Sequence, residues 1–369
     1  MGEKILMKGN EALAEAAIRA GCRHFFGYPI TPQSELAAYM AKYLPKAGGV
    51  YLQAESEVAA INMVYGASAA GVRVMTSSSS PGISLKGEGI SYMIGADLPG
   101  LIVNINRGGP GLGSIQPSQA DYWMATRATG HGDGQIIVLA PSTVQEMADY
   151  ARLAFELGDR YRMPAMILAD GLLGQMMEPV ELPEPIDPKS LPAKDWAVTG
   201  TQGKRKNNKV NSLRLAAQDL EDAVLERYAR YQTIKETEQL AQLELVDDAE
   251  VVVVAYGAAS RIVRSAIMLA REEGIKVGMI RPITLWPFPT QAIQAACKTA
   301  KAFLTVELNT GQMVDDVRLA VTQGLPVSFF GHSGGVVPTP TEVLVAIKKA
   351  LAGELFHILP FRSKLEAGD

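Results

Sequence analysis

Two cysteines, Cys22 and Cys297, are all that this 369-residue chain carries. Two thiols cannot hold an iron–sulfur cluster or a zinc ion by themselves. They also give no disulfide framework, so a reduced, cytoplasmic setting is expected. A basic excess is lacking as well. The 35 Lys and Arg face 39 Asp and Glu, a net charge of −4, whereas a nucleic-acid binder would present a strongly basic face. No apolar run is long enough to span a bilayer. The N-terminal stretch MGEKILMKGNEALAEAAIRAG lacks the charge, apolar run and cleavage site of a signal peptide, and no repeat recurs at a fixed period. These absences argue against nucleic acid, membrane and a metal site of the chain's own. What remains is ordinary globular composition, 47% hydrophobic and 20% charged, in a length that suggests two domains.

Short apolar runs alternate with helical patterns in the first half. Strand-like runs lie at 50–54, 72–76, 101–105, 135–139 and 165–169, and helical patterns at 56–70, 82–96, 116–128 and 143–160. This alternation predicts a parallel sheet covered on both faces. The proline-rich stretch 178–200 reads as an extended linker, KRKNNK at 204–209 as an exposed basic loop, and 212–245 as one long helix or two. A second alternation follows, with strands at 250–255, 276–280, 302–306 and 326–330 and helices at 258–273, 289–299, 311–322 and 340–352. The last helix has a clear start: Thr339 as N-cap, Pro340 at the first helical position, Glu342 three residues after the cap. The fold class is therefore α/β with two doubly wound domains: 1–177, a connector 178–246, and 247–369. Ligands of such folds bind at the C-terminal ends of strands.

Several loops at those ends carry chemistry. In FFGYPITPQSE (25–35), Thr31 can cap a helix with Pro32 at its first position, and Pro29 forces Tyr28 into an extended conformation. This is either a well-capped helix or a rigid turn offering a hydroxyl and a positive helix end to an anion. In QAESEVAAINMVYGASAAG (53–71), Glu55 and Glu57 fall in the first turn, where carboxylates are usually dipole partners. The helix that follows is apolar almost all round, which predicts burial, and a half-buried carboxylate at its entrance can acquire acid–base character. MTSSSSPGISLKGEG (75–89) places four serines between a strand and a helix starting near Pro81. One serine is expected to cap the helix; the others form a polar turn or offer hydroxyls to a ligand. In NINRGGPGLGS (104–114), Arg107 ends a buried strand and meets four glycines and a proline. Arginine binds carboxylates bidentately, but the run is not G-x-G-x-x-G, because Ser114 stands at the last position. GHGDGQ (130–135) contains Gly-Asp-Gly, the opening of the diphosphate–magnesium motif of thiamine enzymes. The asparagine that should close the motif does not come until Asn207, so the tripeptide reads as a turn and His131 as a loop histidine. In the second half YGAASR, RPITLWPFP, VELNTGQM and GHSGG are post-strand loops that name no chemistry.

Taken together, YPITPQSE, QAESEVAAINMVYGASAAG, NRGGPGLG, GDGQIIVLAPSTVQE, VVVVAYGAASR and RPITLWPFP resemble one family across nearly the whole chain: the alpha-type, pyrimidine-binding subunit of 2-oxoacid:ferredoxin oxidoreductases. The chain is most similar to the separate-subunit enzymes of branched-chain 2-oxoacids (2-oxoisovalerate), with those of 2-oxoglutarate close behind. The resemblance implies a thiamine-enzyme pyrimidine-type domain followed by a transketolase C-terminal-like domain used in subunit association. It implies oxidative decarboxylation of a 2-oxoacid with coenzyme A as co-substrate and ferredoxin as acceptor. Thiamine diphosphate would be shared with a beta-type partner subunit, and Mg2+ and [4Fe-4S] clusters would lie on partner chains, with a gamma subunit and a ferredoxin-like delta subunit completing the complex. On the matching positions, Glu57 would hydrogen-bond the aminopyrimidine ring, with Glu55 as runner-up. Arg107 would bind the substrate carboxylate and Thr31 would hydrogen-bond the substrate, flanked by Pro29 and Ile30. Ser79, Pro81 and Gly82, within the stretch Ser77 to Gly82, would line the cofactor pocket. On this resemblance the prolines around Thr31 fix its hydroxyl toward the reacting 2-oxoacid.

Two rivals differ in kind. The beta component of a lipoyl-dependent 2-oxoacid dehydrogenase shares the plan and the glutamate but hands its acyl group to lipoamide; YPITP and LAPST favour the ferredoxin family. A non-catalytic nucleotide-binding or scaffolding subunit would tolerate the loss of Glu57.

Overall fold

The computed structural model describes residues 4–127 and 129–358. The first half builds a seven-stranded sheet. Its order is Thr284–Trp286, Ile137–Leu139, Pro164–Asp170, Gly100–Asn106, Val74–Ser78, His24–Gly27 and Val50–Gln53. All neighbours are parallel except the first, a strand lent by the second half. The three central strands 74–78, 100–106 and 164–170 are buried at every position. Helices cover both faces, so these strands are apolar at their starts and turn polar only toward their C-terminal ends. The second sheet orders His357–Ile358, Val327–Gly331, Ala302–Glu307, Val251–Val254, Val277–Pro282 and Ala241–Glu244, with only the last strand antiparallel. The doubly wound α/β architecture expected from the sequence is thus present in both halves.

Differences from expectation have local causes. The start of the proline-rich stretch is not free linker: Met177–Glu181 pairs antiparallel with Lys4–Lys8, and Trp196 and Val210 pack on the main core. Prolines suit such an edge because they need not donate to the ladder. Residues 212–245 resolve into one helix, Ala217–Thr237, and the edge strand Ala241–Glu244. The expected helix 116–128 shrinks to Tyr122–Thr126; Ala128 lies outside the described residues. The closing helix starts as expected, with Thr339 and Glu342 bonded reciprocally. No helix among the described residues is long and apolar enough to cross a membrane.

Candidate functional site

The serine tract at the end of the central strand Val74–Ser78 joins every element of the candidate site. The Ser77 hydroxyl donates to Gln33 Oε1 at 2.6 Å, anchoring the YPITPQ turn. The Ser78 and Ser79 hydroxyls are buried without a hydrogen-bond partner among the described residues. Ser80 does not cap the following helix, contrary to expectation. It sits at φ 23°, ψ −83°, a backbone conformation an L-residue seldom adopts, and such strain concentrates at functional sites. Its N–H donates to Asn104 Oδ1 at 3.1 Å, its hydroxyl donates to Asp121 Oδ2 at 2.6 Å, and the Arg107 N–H donates to Ser80 Oγ at 3.0 Å. Burial raises the Asp121 pKa against the lowering effect of Ser80 and Asn104.

Helix Pro81–Gly95 leaves this tract with Gly82 against Glu57. A Cβ on Gly82 would stand 2.1 Å from Ser78 Oγ and 2.7 Å from Glu57 Oε1, so only glycine leaves room for both. Glu57 is the first residue of helix Glu57–Ala69, behind the N-cap Ser56, whose hydroxyl accepts from the Ala59 N–H at 3.1 Å. It is 6% exposed, and its carboxylate makes no hydrogen bond among the described residues. Glu55 precedes the cap and is exposed, so it lies outside the first turn where it was expected. One turn on from Gly82, Lys86 is fully buried; its Nζ donates to Thr76 Oγ1 at 2.8 Å and to the Ser77 carbonyl at 2.9 Å. Burial pushes its pKa down to about 7, while the Glu57 charge pulls it up.

The helix expected to be buried all round is not. Val58 is 45% exposed, and Asn62 and Gly66 share its open face; Leu52 and Leu85 are exposed on neighbouring elements. Among the described residues, only one side of this largely apolar helix is covered.

On the other flank, Arg107 is 7% exposed. Its guanidinium donates to the Thr31 carbonyl at 3.0 Å and to the Leu112 carbonyl at 3.1 Å, while its Nε lacks a partner. Arg73, Arg227 and Arg281, also buried, each pair with a carboxylate. Arg107 forms no ion pair among the described residues, so it keeps an unneutralised charge. Thr31 and Arg107 are therefore neighbours, but Thr31 is exposed and does not cap a helix. Gln33 is the N-cap of Ser34–Tyr43 and makes no side-chain cap bond, because its side chain turns inward to Ser77. Pro29 is exposed and Ile30 half-buried beside them, and Pro81 opens its helix.

Two post-strand loops of the second half, at Tyr256 and at 306–313, are occupied by residues of the first half. Gln119 fills their strand ends: its Nε2 donates to the Tyr256 carbonyl at 2.8 Å and its Oε1 accepts from the Leu308 N–H at 2.9 Å. Glu307 is buried, with its pKa raised by that burial, and accepts from the N–H groups of Met313 and Val314. Gln312 in turn holds Ala120 and Trp123. VELNTGQM is thus a clasp that fixes residues 118–123. Gly-Asp-Gly lies in a turn ahead of strand Ile137–Leu139, with His131 exposed. Sequence reasoning passed over Gln33, Lys86 and Gln119. Lys86 left a signal, since it shares the register of Gly82, Ile83, Gly89 and Ile90 on an otherwise apolar helix face.

Comparison with known proteins follows this geometry. A family described as "Pyruvate flavodoxin/ferredoxin oxidoreductase, thiamine diP-bdg" matches residues 15–256, and one described as "Pyruvate:ferredoxin oxidoreductase core domain II" matches 249–343. The chain is 50% identical over 349 residues to the ketoisovalerate oxidoreductase subunit VorB of Methanothermobacter thermautotrophicus, covering 95% of this chain and 98% of that one. It is 35% identical over 381 residues to the 2-oxoglutarate synthase subunit KorA of the same organism, covering 95% and 99%. A solved 2-oxoglutarate:ferredoxin oxidoreductase of Magnetococcus marinus, with 2-oxoglutarate, coenzyme A and succinyl-CoA bound, superposes with a TM-score of 0.84 at 29% identity over 95% of this chain. This chain spans 66% of that longer one. A split-gene transketolase, at a TM-score of 0.59 and 16% identity over 95% of this chain and 99% of that one, shares the fold alone.

Proposed function

Because the chain belongs to the pyruvate flavodoxin/ferredoxin oxidoreductase family, we propose that it is the pyrimidine-binding subunit of a 2-oxoacid:ferredoxin oxidoreductase acting on branched-chain 2-oxoacids. The reaction takes a 2-oxoacid, coenzyme A and oxidised ferredoxin to acyl-CoA, carbon dioxide and reduced ferredoxin. The observation that carries the substrate class is the end-to-end identity of 50% and 47% to two ketoisovalerate subunits, against 34–37% to four 2-oxoglutarate synthase subunits.

The residues fit the ring end of thiamine diphosphate. Among the described residues, a carboxylate that makes no hydrogen bond and two buried hydroxyls without partners meet at a glycine that a Cβ would crowd, a polar donor–acceptor set with one acidic group. When bound, thiamine diphosphate would supply a thiazolium carbon as nucleophile toward the 2-oxoacid. Glu57 holds the proton at the ring nitrogen, with Ser79, Pro81 and Gly82 lining that end. Arg107, a buried cation with no counter-ion, receives the substrate carboxylate, and Thr31, with Pro29 and Ile30, orients the oxo group. A beta-type chain brings magnesium, the diphosphate contacts and [4Fe-4S] clusters, and gamma and ferredoxin-like delta chains complete a cytoplasmic complex. The exposed apolar Leu52, Val58 and Leu85 around the Glu57 helix support a partner chain closing this half-site. The division at 177 and 246 leaves the second domain to subunit association.

The test is CoA-dependent viologen reduction by the anaerobically purified complex across a panel of 2-oxoacids. Activity confined to 2-oxoisovalerate and its branched relatives is expected. A preference for 2-oxoglutarate, the reading favoured by the Magnetococcus marinus likeness, would move the substrate and keep the mechanism. No reduction with any 2-oxoacid would overturn the function.

A further inference from the structure

We propose that Lys86 is a positioning residue for the Glu57 proton: its buried ammonium is the counter-charge that stabilises the Glu57 carboxylate once the glutamate has passed its proton to the ring nitrogen. The inference rests on the reading of Glu57 given above.

Lys86 is fully buried and pairs with no carboxylate within ion-pair distance among the described residues. A lone buried ammonium is costly, and a structural need at this position would be met by an apolar side chain. Its ammonium is held in place by two acceptors, Thr76 Oγ1 at 2.8 Å and the Ser77 carbonyl at 2.9 Å, both on the strand that ends at the serine tract. Four residues earlier on the same helix face, Gly82 meets the Glu57 carboxylate. Among the described residues, the Glu57 charge is the one that pulls the Lys86 pKa back up against burial. Geometry and charge thus tie a buried cation to the Glu57 carboxylate. In a site of low dielectric, a fixed cation favours proton transfer out of Glu57, because the carboxylate left behind is stabilised while the neutral carboxyl is not. No proton leaves Lys86 in this step; its charge alone acts.

Two experiments test the assignment. In the full chain labelled with ε-13C-lysine, the lysine resonance that titrates furthest below the others is followed against pH in wild type and in Glu57→Gln. Loss of the Glu57 charge should move that midpoint to lower pH; an unmoved midpoint overturns the proposal without any need for a Lys86 variant. In the assembled complex, exchange of the thiazolium C2 proton into deuterium is measured for Lys86→Met, Glu57→Gln and the double variant, together with cofactor affinity. Lys86→Met should slow exchange by about tenfold or more at neutral pH, with thiamine diphosphate still bound, and should add nothing in the Glu57→Gln background. Additive losses in the double variant mean that Lys86 does not act through Glu57 and overturn the inference. Normal exchange in Glu57→Gln would instead sink the assigned role of Glu57, an outcome distinct from normal exchange in Lys86→Met alone.

Discussion

Replacing Gly82 by alanine tests the site at its tightest point. The added Cβ would stand 2.1 Å from Ser78 Oγ, 2.7 Å from Glu57 Oε1 and 3.2 Å from Glu57 Cγ. The two closest atoms end side chains and can retreat. Turning Ser78 off its rotamer costs about 0.5–1.5 kcal/mol, and alanine in a helix returns roughly 0.5–1 kcal/mol relative to glycine. The stability change of Gly82→Ala is therefore small, within about 1 kcal/mol. Function is a different matter. Ordinary contact begins near 3.4 Å, so the Glu57 oxygen must withdraw by roughly 0.7 Å, and a misplacement near 1 Å at a reacting group costs about 100-fold. Viologen reduction should fall some 30- to 100-fold, with the melting temperature of the chain nearly unchanged. Gly66→Ala is the control: nothing lies within 4 Å of that position in the neighbouring helix, so it should only stabilise the isolated chain, by up to ~1 kcal/mol. Wild-type turnover in Gly82→Ala would refute the claim that the glycine holds the Glu57 carboxylate in its working position.

Arg107→Ala should lower kcat/KM for the 2-oxoacid by about 100-fold, the worth of one strong charge-assisted contact, with thiamine diphosphate affinity retained. Lysine should not rescue it, because a single ammonium cannot hold the Thr31 and Leu112 carbonyls and a carboxylate together; an unchanged kcat/KM in the alanine variant would refute the role. Lys86 should make stability depend on pH. Its folded pKa of about 7 lies below the ordinary 10.5, so between these values the unfolded chain binds more protons and stability rises with pH. Lys86→Met should be the more stable form at pH 7, by at most about 5 kcal/mol, and the gap in thermal midpoint should close toward pH 10; a gap independent of pH would contradict the buried charge. Gln119→Ala strands the Leu308 N–H, at about 1–3 kcal/mol, and leaves the Tyr256 carbonyl with its bond from the Ser260 N–H. Amide exchange at Leu308 should accelerate more than ~10-fold, and unchanged protection would show that the clasp is not what holds the two halves.

The alternation of apolar runs and helical patterns, and the capping box at Thr339, were legible because period and cap chemistry are local properties of the chain. So was the importance of YPITPQ, the serine tract and Arg107, since prolines, hydroxyls and an arginine at strand ends stand out against apolar neighbours. Sequence periodicity could not reveal that the Glu57 helix is apolar on a face this chain never covers, because an apolar face reads alike whether its cover comes from the same chain or another. Nor could it tell that Thr31 stops short of the helix, since Gln33 is drawn inward by Ser77, 44 positions away. The post-strand loops of the second half looked equally free, yet residues 118–123 occupy those at Tyr256 and 306–313. By itself, the order of residues determined which strands and helices form and which side chains carry reactive chemistry, because these depend on neighbours a few positions apart. Only the tertiary structure decided that Gly82 leaves room for Glu57, that Lys86 stands behind it and that Arg107 is the buried arginine left without a counter-ion, because burial and charge pairing are set by groups that meet only when the strands lie side by side.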